Sequence, residues 1–111
     1  MISVALSREQ TESLLRDVPA VYGTQINDVL LAAFSLALRG WTGESAVLFD
    51  LEGHGREELV TGVDLTRTVG WFTTLFPVVL DLGGDDDPGR VLKSVKEQLR
   101  AVPRRGIGYG L

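Results

Sequence analysis

A carboxylate, an imidazole and a guanidinium lie within five residues of one another, at Glu52, His54 and Arg56. A carboxylate near a histidine is suited to general acid–base chemistry, in which a proton moves to or from a reacting atom. The glycines between them allow another segment or a ligand to approach the backbone closely. From these residues alone two interpretations stay open. In the commoner one, Glu52 is a salt-bridge partner of Arg56 and His54 is structural; in the other, Glu52 transfers protons.

Other chemistries lack the residues they need. One histidine and no cysteine leave too few ligands for a zinc site and exclude disulfides and thiolate chemistry. The Asp85–Asp87 run lacks EF-hand spacing and suits the N-terminus of a helix better than a cation. No serine lies in a Gly-x-Ser-x-Gly turn, and the glycines of residues 106–110 follow a helix rather than a strand. The sequence therefore predicts no metal and no bound cofactor, and a helix-end role for the arginines at 100, 104 and 105.

Charge and hydropathy restrict the partners. Eleven basic and fifteen acidic residues give a net charge of −4, which argues against binding nucleic acid. No apolar run reaches the ~20 residues of a membrane span, and the N-terminus lacks the pattern of a signal peptide. A chain of 111 residues, 44% hydrophobic and 23% charged, has enough material for one core. We therefore expect a single cytoplasmic unit over residues 1–111 that does not enter a membrane.

The elements that carry these residues begin with a predicted strand at residues 2–6, where apolar and small polar side chains alternate. Ser7 and Gln10 have the spacing of a capping box, and the helix they open is expected to end at Pro19. Thr24 is the next predicted N-cap. It opens a helix so apolar on every side that we expect it to be buried, with Asp28 in its first turn and its exit at Gly40 and Gly43.

The second half of the chain predicts two strands and a helix. The run 46–51 alternates, with Val47, Phe49 and Leu51 on one face, and residues 76–82 form the other predicted strand. Between them we expect a loop anchored by buried aromatics at Trp71 and Phe72. Pro88 opens a last helix that ends before Pro103. The predicted fold is α/β, with helices packed on a small mixed sheet.

Four segments together resemble a known family. They are QINDVLLAA at 25–33, EGHGRE at 52–57, RTVGWFT at 67–73 followed by Leu75-Phe76-Pro77, and PRRGIGYG at 103–110. Their order and spacing resemble epimerization domains of nonribosomal peptide synthetases, which belong to the condensation-domain superfamily with the chloramphenicol acetyltransferase fold. In condensation domains the third segment reads closer to GLFINT-L-P, so Trp71-Phe72-Thr73 favours the epimerization branch.

The resemblance implies a two-lobed fold with a catalytic tunnel between the lobes, of which this chain is part of the second lobe. The family's His-His-x-x-x-Asp-Gly motif belongs to the first lobe and is not found in these 111 residues. We therefore expect the chain alone to be inactive, and the apolar surface of a separated lobe to favour self-association.

The implied reaction inverts the α-carbon of an L-aminoacyl or peptidyl thioester carried on the phosphopantetheine arm of a peptidyl carrier domain. By this resemblance Glu52 is a general acid or base, in an apolar setting beside Leu48 and Leu51 that raises its pKa. His54 and Arg56 position its loop, and four residues line the tunnel: Trp71, Phe72, Thr73 and Tyr109. Two other functions stay open: a condensation domain that forms amide bonds, and a non-catalytic module that binds carrier domains.

Overall fold

The computed structural model describes residues 1–56 and 61–110, which form three α-helices and two strands. Helix α1 spans Arg8–Tyr22 and α2 spans Ile26–Thr42; strand β1 spans Ala46–Gly53 and β2 spans Thr74–Asp81; helix α3 spans Pro88–Arg100. A 3₁₀ turn follows at Pro103–Gly106. The predicted α/β architecture, with helices packed on a small sheet, is confirmed.

The two strands pair antiparallel along their whole length, with Phe49 opposite Val78 and Leu51 opposite Phe76. Val47, Phe49 and Leu51 lie on the partly buried face of β1, as the alternation predicted. On β2 the inward positions are buried, and Leu80 is fully so. The described residues contain no parallel pairing, so the mixed strand order that we expected is absent from this part of the chain.

The core lies between the inner face of this sheet and the helices α2 and α3. The amphipathic pattern of α3 buries Val91, Leu92 and Val95, as predicted. Apolar side chains at this spacing lie on one helix face, and their removal from water stabilises the fold by about 25 cal/mol per Å². The buried apolar cluster consists of Ala32, Phe76, Val78, Leu80, Leu82, Val91, Leu92 and Val95.

Helix α2 forms where predicted but is less buried than expected. Only Ala32 and Ser35 are buried, whereas Phe34 is 53% and Trp41 84% exposed. Helix α2 packs mainly on α3, with smaller contacts to β1 and α1, and Leu30, Phe34 and Trp41 stay exposed among the described residues. The expected cap also differs by one residue: Gln25 is the N-cap, and its backbone N–H donates to Asp28 Oδ2 at 2.7 Å.

The N-terminal prediction is wrong at two points. Residues 2–6 form no strand and are exposed, because alternation stabilises a strand only where a neighbouring strand can pair with it. The capping box of Ser7 and Gln10 is confirmed, but Pro19 lies inside α1, which continues to Gly23. Since Pro19 is in the last turn, its carbonyl still accepts from the Gly23 N–H at 2.9 Å, and Gly23 takes the left-handed conformation (φ +61°) that ends the helix.

Basic side chains of α3 hold α1 in place. Lys96 Nζ donates to the carbonyl of Tyr22, and Arg100 Nη2 donates to that of Gly23, both at 3.0 Å. Cations at these positions also compensate the negative end of the α1 dipole. Helices α1 and α2 are bent by 100° relative to each other; within the described ranges no single helix could cross a membrane, and only this bent pair meets the length and composition of a span.

The acidic run before α3 serves as a helix cap, as predicted. Asp87 accepts from the Arg90 N–H at 2.8 Å, and Asp85 bonds the Arg90 side chain at 2.6 Å. Arg39 of α2 pairs with Asp86 at 3.1 Å. The described residues contain no group of three or more His, Cys, Asp or Glu side chains that could hold a metal ion.

A substitution pair on β2 tests the position of the core. Leu80→Ala, at a fully buried site, is expected to lower the free energy of unfolding by about 2–5 kcal/mol. Leu75→Ala, on the same strand but 62% exposed, is expected to change it by about 0.5 kcal/mol. Urea denaturation of both variants measures the difference. Equal losses would contradict the assigned faces of β2.

The Asp85–Arg90 pair predicts a dependence on acid. The hydrogen bond from Arg90 lowers the pKa of Asp85 from 3.8 to about 2, so its carboxylate stabilises the fold above pH 3.8. That contribution is lost as the pH falls through about 2, when the folded-state carboxylate is protonated. Asp85→Asn is therefore expected to be less stable than the native chain at pH 5, with a difference that shrinks between pH 3.8 and 2. Denaturation at pH 5, 3 and 2 measures it, and a difference that is constant with pH would contradict the pairing.

Candidate active site

An open cleft with a volume of about 740 Å³ lies where α2 begins and β1 and α3 end. Its walls come from residues far apart in sequence, including Asn27 of α2, Glu52 and His54 at the end of β1, and Arg105 of the 3₁₀ turn. The volume is within the ~300–1,000 Å³ typical of small-molecule sites. Two of the predicted site residues, Glu52 and His54, thus border one cleft.

Glu52 is the second-last residue of β1 and faces the outer side of the sheet, opposite Leu75. Its side chain is exposed. Leu48, on the same face, is 66% exposed, and Leu51 points to the other face. The expected apolar, water-poor setting is therefore not supplied by the described residues, because the sheet covers Glu52 from one side only.

Arg56 ties the Glu52 segment to the loop before β2. Its Nη1 donates to the carbonyls of Leu65 at 2.5 Å and Thr68 at 2.9 Å. Its guanidinium also lies 4.4 Å from the centroid of the Phe72 ring, a cation–π contact. Within the described part of the chain it forms no ion pair with Glu52, so the salt-bridge interpretation is not realised there.

The backbone of the same segment is held by a local contact. The Arg56 N–H donates to His54 Nδ1 at 3.0 Å, which folds the chain back directly after β1. The imidazole and the guanidinium therefore both fix the course of residues 52–56. Glu57, the last residue of the EGHGRE segment, lies outside the described residues.

The backbone conformation and the surroundings of residue 55 require a glycine there. It is buried with φ at +63°, a conformation that L side chains rarely adopt. A Cβ at this position would overlap the carbonyl oxygen of Phe72. The close approach of two backbones thus brings the end of β1 against the loop at 70–73.

A second close approach occurs in the 3₁₀ turn. Gly106 is buried with φ at +76°, and a Cβ there would overlap the ring of Phe76. The preceding residues, Arg104 and Arg105, have φ of 48° and 50°. This left-handed conformation costs a non-glycine residue about 1–2 kcal/mol. The contact between Phe76 and Gly106 therefore coincides with a strained turn at the edge of the cleft.

The four residues predicted to line a tunnel do not line this cleft. Trp71 is 90% and Tyr109 64% exposed, and Thr73 is also exposed. Phe72 is half-buried beneath Arg56. The expected anchoring of the loop by two aromatics is thus wrong for Trp71, because the described chain offers no surface to cover its ring.

Arg100 and Arg105, near the C-terminus, have different contacts. Arg100 bonds the Gly23 carbonyl and Glu97, which fits the predicted helix-end role, although it also lines the cleft. Arg105 also lines the cleft, which its position near a helix end did not predict. The available signal was two arginines directly before a glycine, a pattern that favours a turn.

The chain is similar in sequence to known proteins over almost its whole length. A sequence model of the condensation domain matches residues 1–111, and the chain belongs to that family. It is 57% identical over 114 residues to chondramide synthase cmdD of Chondromyces crocatus, covering 99% of this chain and 3% of that protein. It is 49% identical over 109 residues to bacitracin synthase 3 of Bacillus licheniformis, covering 98% of this chain and 2% of that protein.

Solved structures show the same relationship. The epimerization domain from the third module of tyrocidine synthetase B superposes with a TM-score of 0.86 at 47% identity, over 97% of this chain and 24% of that one. The first condensation domain of the calcium-dependent antibiotic synthetase shares the fold, with a TM-score of 0.69 at 24% identity over 87% of this chain and 21% of that one. The predicted resemblance and the partial condensation-type fold are confirmed, and the chain corresponds to a small part of each relative.

Two glycines with positive φ but different surroundings test whether the close approach of Gly55 to Phe72 constrains the fold. Gly62→Ala places a Cβ at φ +85° with no described atom within 4 Å, so only the backbone penalty of about 1–2 kcal/mol is expected. Gly55→Ala adds the overlap with Phe72, and we expect a further loss of about 1–3 kcal/mol. Urea denaturation measures both values. Similar losses would show that the Gly55–Phe72 approach does not constrain the fold.

Proposed function

We propose that this chain forms one side of the active site of an epimerization domain of a nonribosomal peptide synthetase. The substrate is an L-aminoacyl or peptidyl thioester on the phosphopantetheine arm of a carrier domain, and the product is its D-epimer. One observation carries the proposal: Glu52 borders an open cleft, on a segment fixed by Arg56, in a chain that superposes on an epimerization domain.

The chemistry needs two proton-transfer groups on opposite sides of the α-carbon. Breaking the Cα–H bond leaves its electron pair delocalised onto the thioester carbonyl as an enolate, and reprotonation from the other face gives the inverted centre. Glu52 is the group on this side and holds or donates one of these protons. The second group is supplied from outside the 111 residues, by a first lobe that carries the His-His-x-x-x-Asp-Gly motif. We propose that the chain, as a single unit, belongs to the second lobe.

The exposure of Glu52 fits such an arrangement. A carboxylate exposed on one lobe becomes desolvated when a second surface closes over it. Trp71, Thr73 and Tyr109 are exposed and are proposed to line the tunnel with that second surface. Self-association of the separated chain, through apolar side chains such as Ile2 and Leu48, stays a prediction.

The alternatives make different products. A condensation domain would join two carrier-bound substrates by an amide bond, and the match to the condensation-domain model keeps this candidate. A non-catalytic module would bind carrier domains without turnover. Neither needs exchange of the α-proton with solvent. In each case the chain is proposed to act in the cytoplasm and without a bound cofactor.

Solvent exchange at the α-carbon tests the proposal. The full-length protein is incubated in heavy water with a carrier-bound aminoacyl thioester, and mass spectrometry follows deuterium while chiral analysis follows the D product. Glu52→Gln is expected to slow exchange by about 10²–10⁴-fold, the usual contribution of a general acid or base. Asp50→Asn, on the same exposed face but outside the cleft, is the matched control and is expected to keep the native rate.

Two outcomes would contradict the proposal. Native exchange in Glu52→Gln would remove the carboxylate from the chemistry. An active parent that forms peptide bonds without incorporating deuterium would indicate a condensation domain.

A further inference from the structure

One hydrogen bond in the segment that follows β1 depends on the protonation state of His54. The Arg56 N–H donates to His54 Nδ1 at 3.0 Å. A ring nitrogen accepts a hydrogen bond only while it carries no proton, so this bond requires the neutral imidazole with its proton on Nε2. Protonation of His54 turns the acceptor into a second donor, and the bond is then broken.

This bond closes a tight turn directly after the residue proposed to transfer protons. Side chains of Asn and Asp often accept from the backbone N–H two residues further on, and here the imidazole of His54 accepts in the same way from Arg56. Gly55, between the two, is buried with φ at +63°, and its backbone lies against the Phe72 carbonyl. The turn therefore sets the path of the chain from Glu52 to Arg56.

The far end of the turn is anchored by contacts that do not change with pH. The Arg56 guanidinium donates to the carbonyls of Leu65 and Thr68 and lies over the Phe72 ring. A guanidinium stays charged at every pH at which the protein is folded. His54 is thus the pH-dependent link between the anchored Arg56 and Glu52, which precedes His54 by two residues.

We propose that His54 is a pH-sensitive positioning residue of the site. The neutral imidazole holds the Glu52 segment against the anchored Arg56, and the imidazolium releases it. Histidine is the side chain that changes charge between about pH 5 and 8, so the segment is held at the upper end of this range and loosened at the lower end. The inference rests on the proposed function where it concerns proton transfer by Glu52.

The other charged groups near His54 are the same in every protein compared below. Among the described residues, those that border the cleft with His54 come from four elements: Glu52 of β1, Asp28 of α2, Arg100 of α3 and Arg105 of the 3₁₀ turn. Arg56 follows in the same segment. Because each variant keeps all of these groups, a difference in pH dependence between variants reports on residue 54.

Two substitutions of His54 in the full-length protein test the inference. His54→Asn keeps an acceptor for the N–H two residues further on but has no proton to gain, and His54→Ala has no acceptor. Hydrogen-exchange mass spectrometry measures the protection of residues 52–56 in each protein at about pH 8 and about pH 5, the ends of the range in which histidine changes charge. The native protein is expected to match His54→Asn at the upper pH. At the lower pH its protection is expected to be about two- to tenfold less than that of His54→Asn, the factor that the loss of one hydrogen bond corresponds to. His54→Ala is expected to be less protected at both.

The rate of α-proton exchange gives the functional arm. Acidification is expected to slow the native protein by about two- to tenfold more than it slows His54→Asn, for the same reason. His54→Ala is expected to be slow at both pH values, and its rescue by His54→Asn at the upper pH would show that the acceptor is what matters.

A ratio of native to His54→Asn protection that does not change between the two pH values would overturn the inference, whatever its absolute value. Native protection in His54→Ala at the upper pH would overturn it as well. The protection measurement needs no turnover. Absence of α-proton exchange in all three proteins would therefore refute the proposed function, while the protection ratio would still decide whether His54 holds the segment.

Discussion

The contact between the Phe76 ring and the backbone of Gly106 is the constraint on which the cleft depends. Phe76 belongs to the buried core and pairs with Leu51 across the sheet, so its position is set by both strands. Gly106 accepts the ring because it has no side chain, and its positive φ turns the chain at that point. One aromatic residue thereby joins the core, the end of β1 and the turn that follows α3.

A second glycine allows a similar close approach directly after β1. Gly55 lets the backbone of residues 52–56 approach that of Phe72, and Arg56 then bonds the carbonyls of Leu65 and Thr68. Segments distant in sequence are thus brought together by glycine backbones that allow close approach and by the side chains of Arg56 and Phe76. The residue types that permit it, glycine beside arginine or an aromatic ring, are the ones that stand out in the sequence. Fixed geometry of this kind is what an acid–base site requires, because proton transfer needs its groups within hydrogen-bond reach.

Local signals in the sequence predicted the local structure well. The capping box of Ser7 and the cap at Asp87 are confirmed, because a cap is decided by a few neighbouring residues. The faces of β1 follow from alternation for the same reason. Strand pairing and helix burial depend on neighbouring elements, and these two properties were predicted less well. Residues 2–6 alternate but have no strand to pair with among the described residues, and Phe34 and Trp41 of α2 stay exposed there.

The candidate site shows the same division. Glu52 and His54 follow from residue type and motif, and both border the cleft, although the Glu52 side chain lies on the outer face of the sheet. The four aromatic and polar residues predicted for a tunnel do not line it, since a tunnel wall depends on two surfaces and the described residues supply one. The sequence did not predict that Arg105 lines the cleft, because its backbone belongs to a turn that no periodic pattern encodes. Motifs thus identified candidate residues, whereas which of them lie near one another required the fold.

A double-mutant cycle between Gly106 and Phe76 tests the central constraint most directly. Gly106→Ala, Phe76→Leu and the double variant are compared with the native chain by urea denaturation. If the ring fixes the turn, Gly106→Ala costs less stability when the ring has been removed, with a coupling energy of about 1–2 kcal/mol, within the range for residues in contact. Additive effects, within about 0.5 kcal/mol, would show that the ring and the turn are independent and would contradict this account of the cleft.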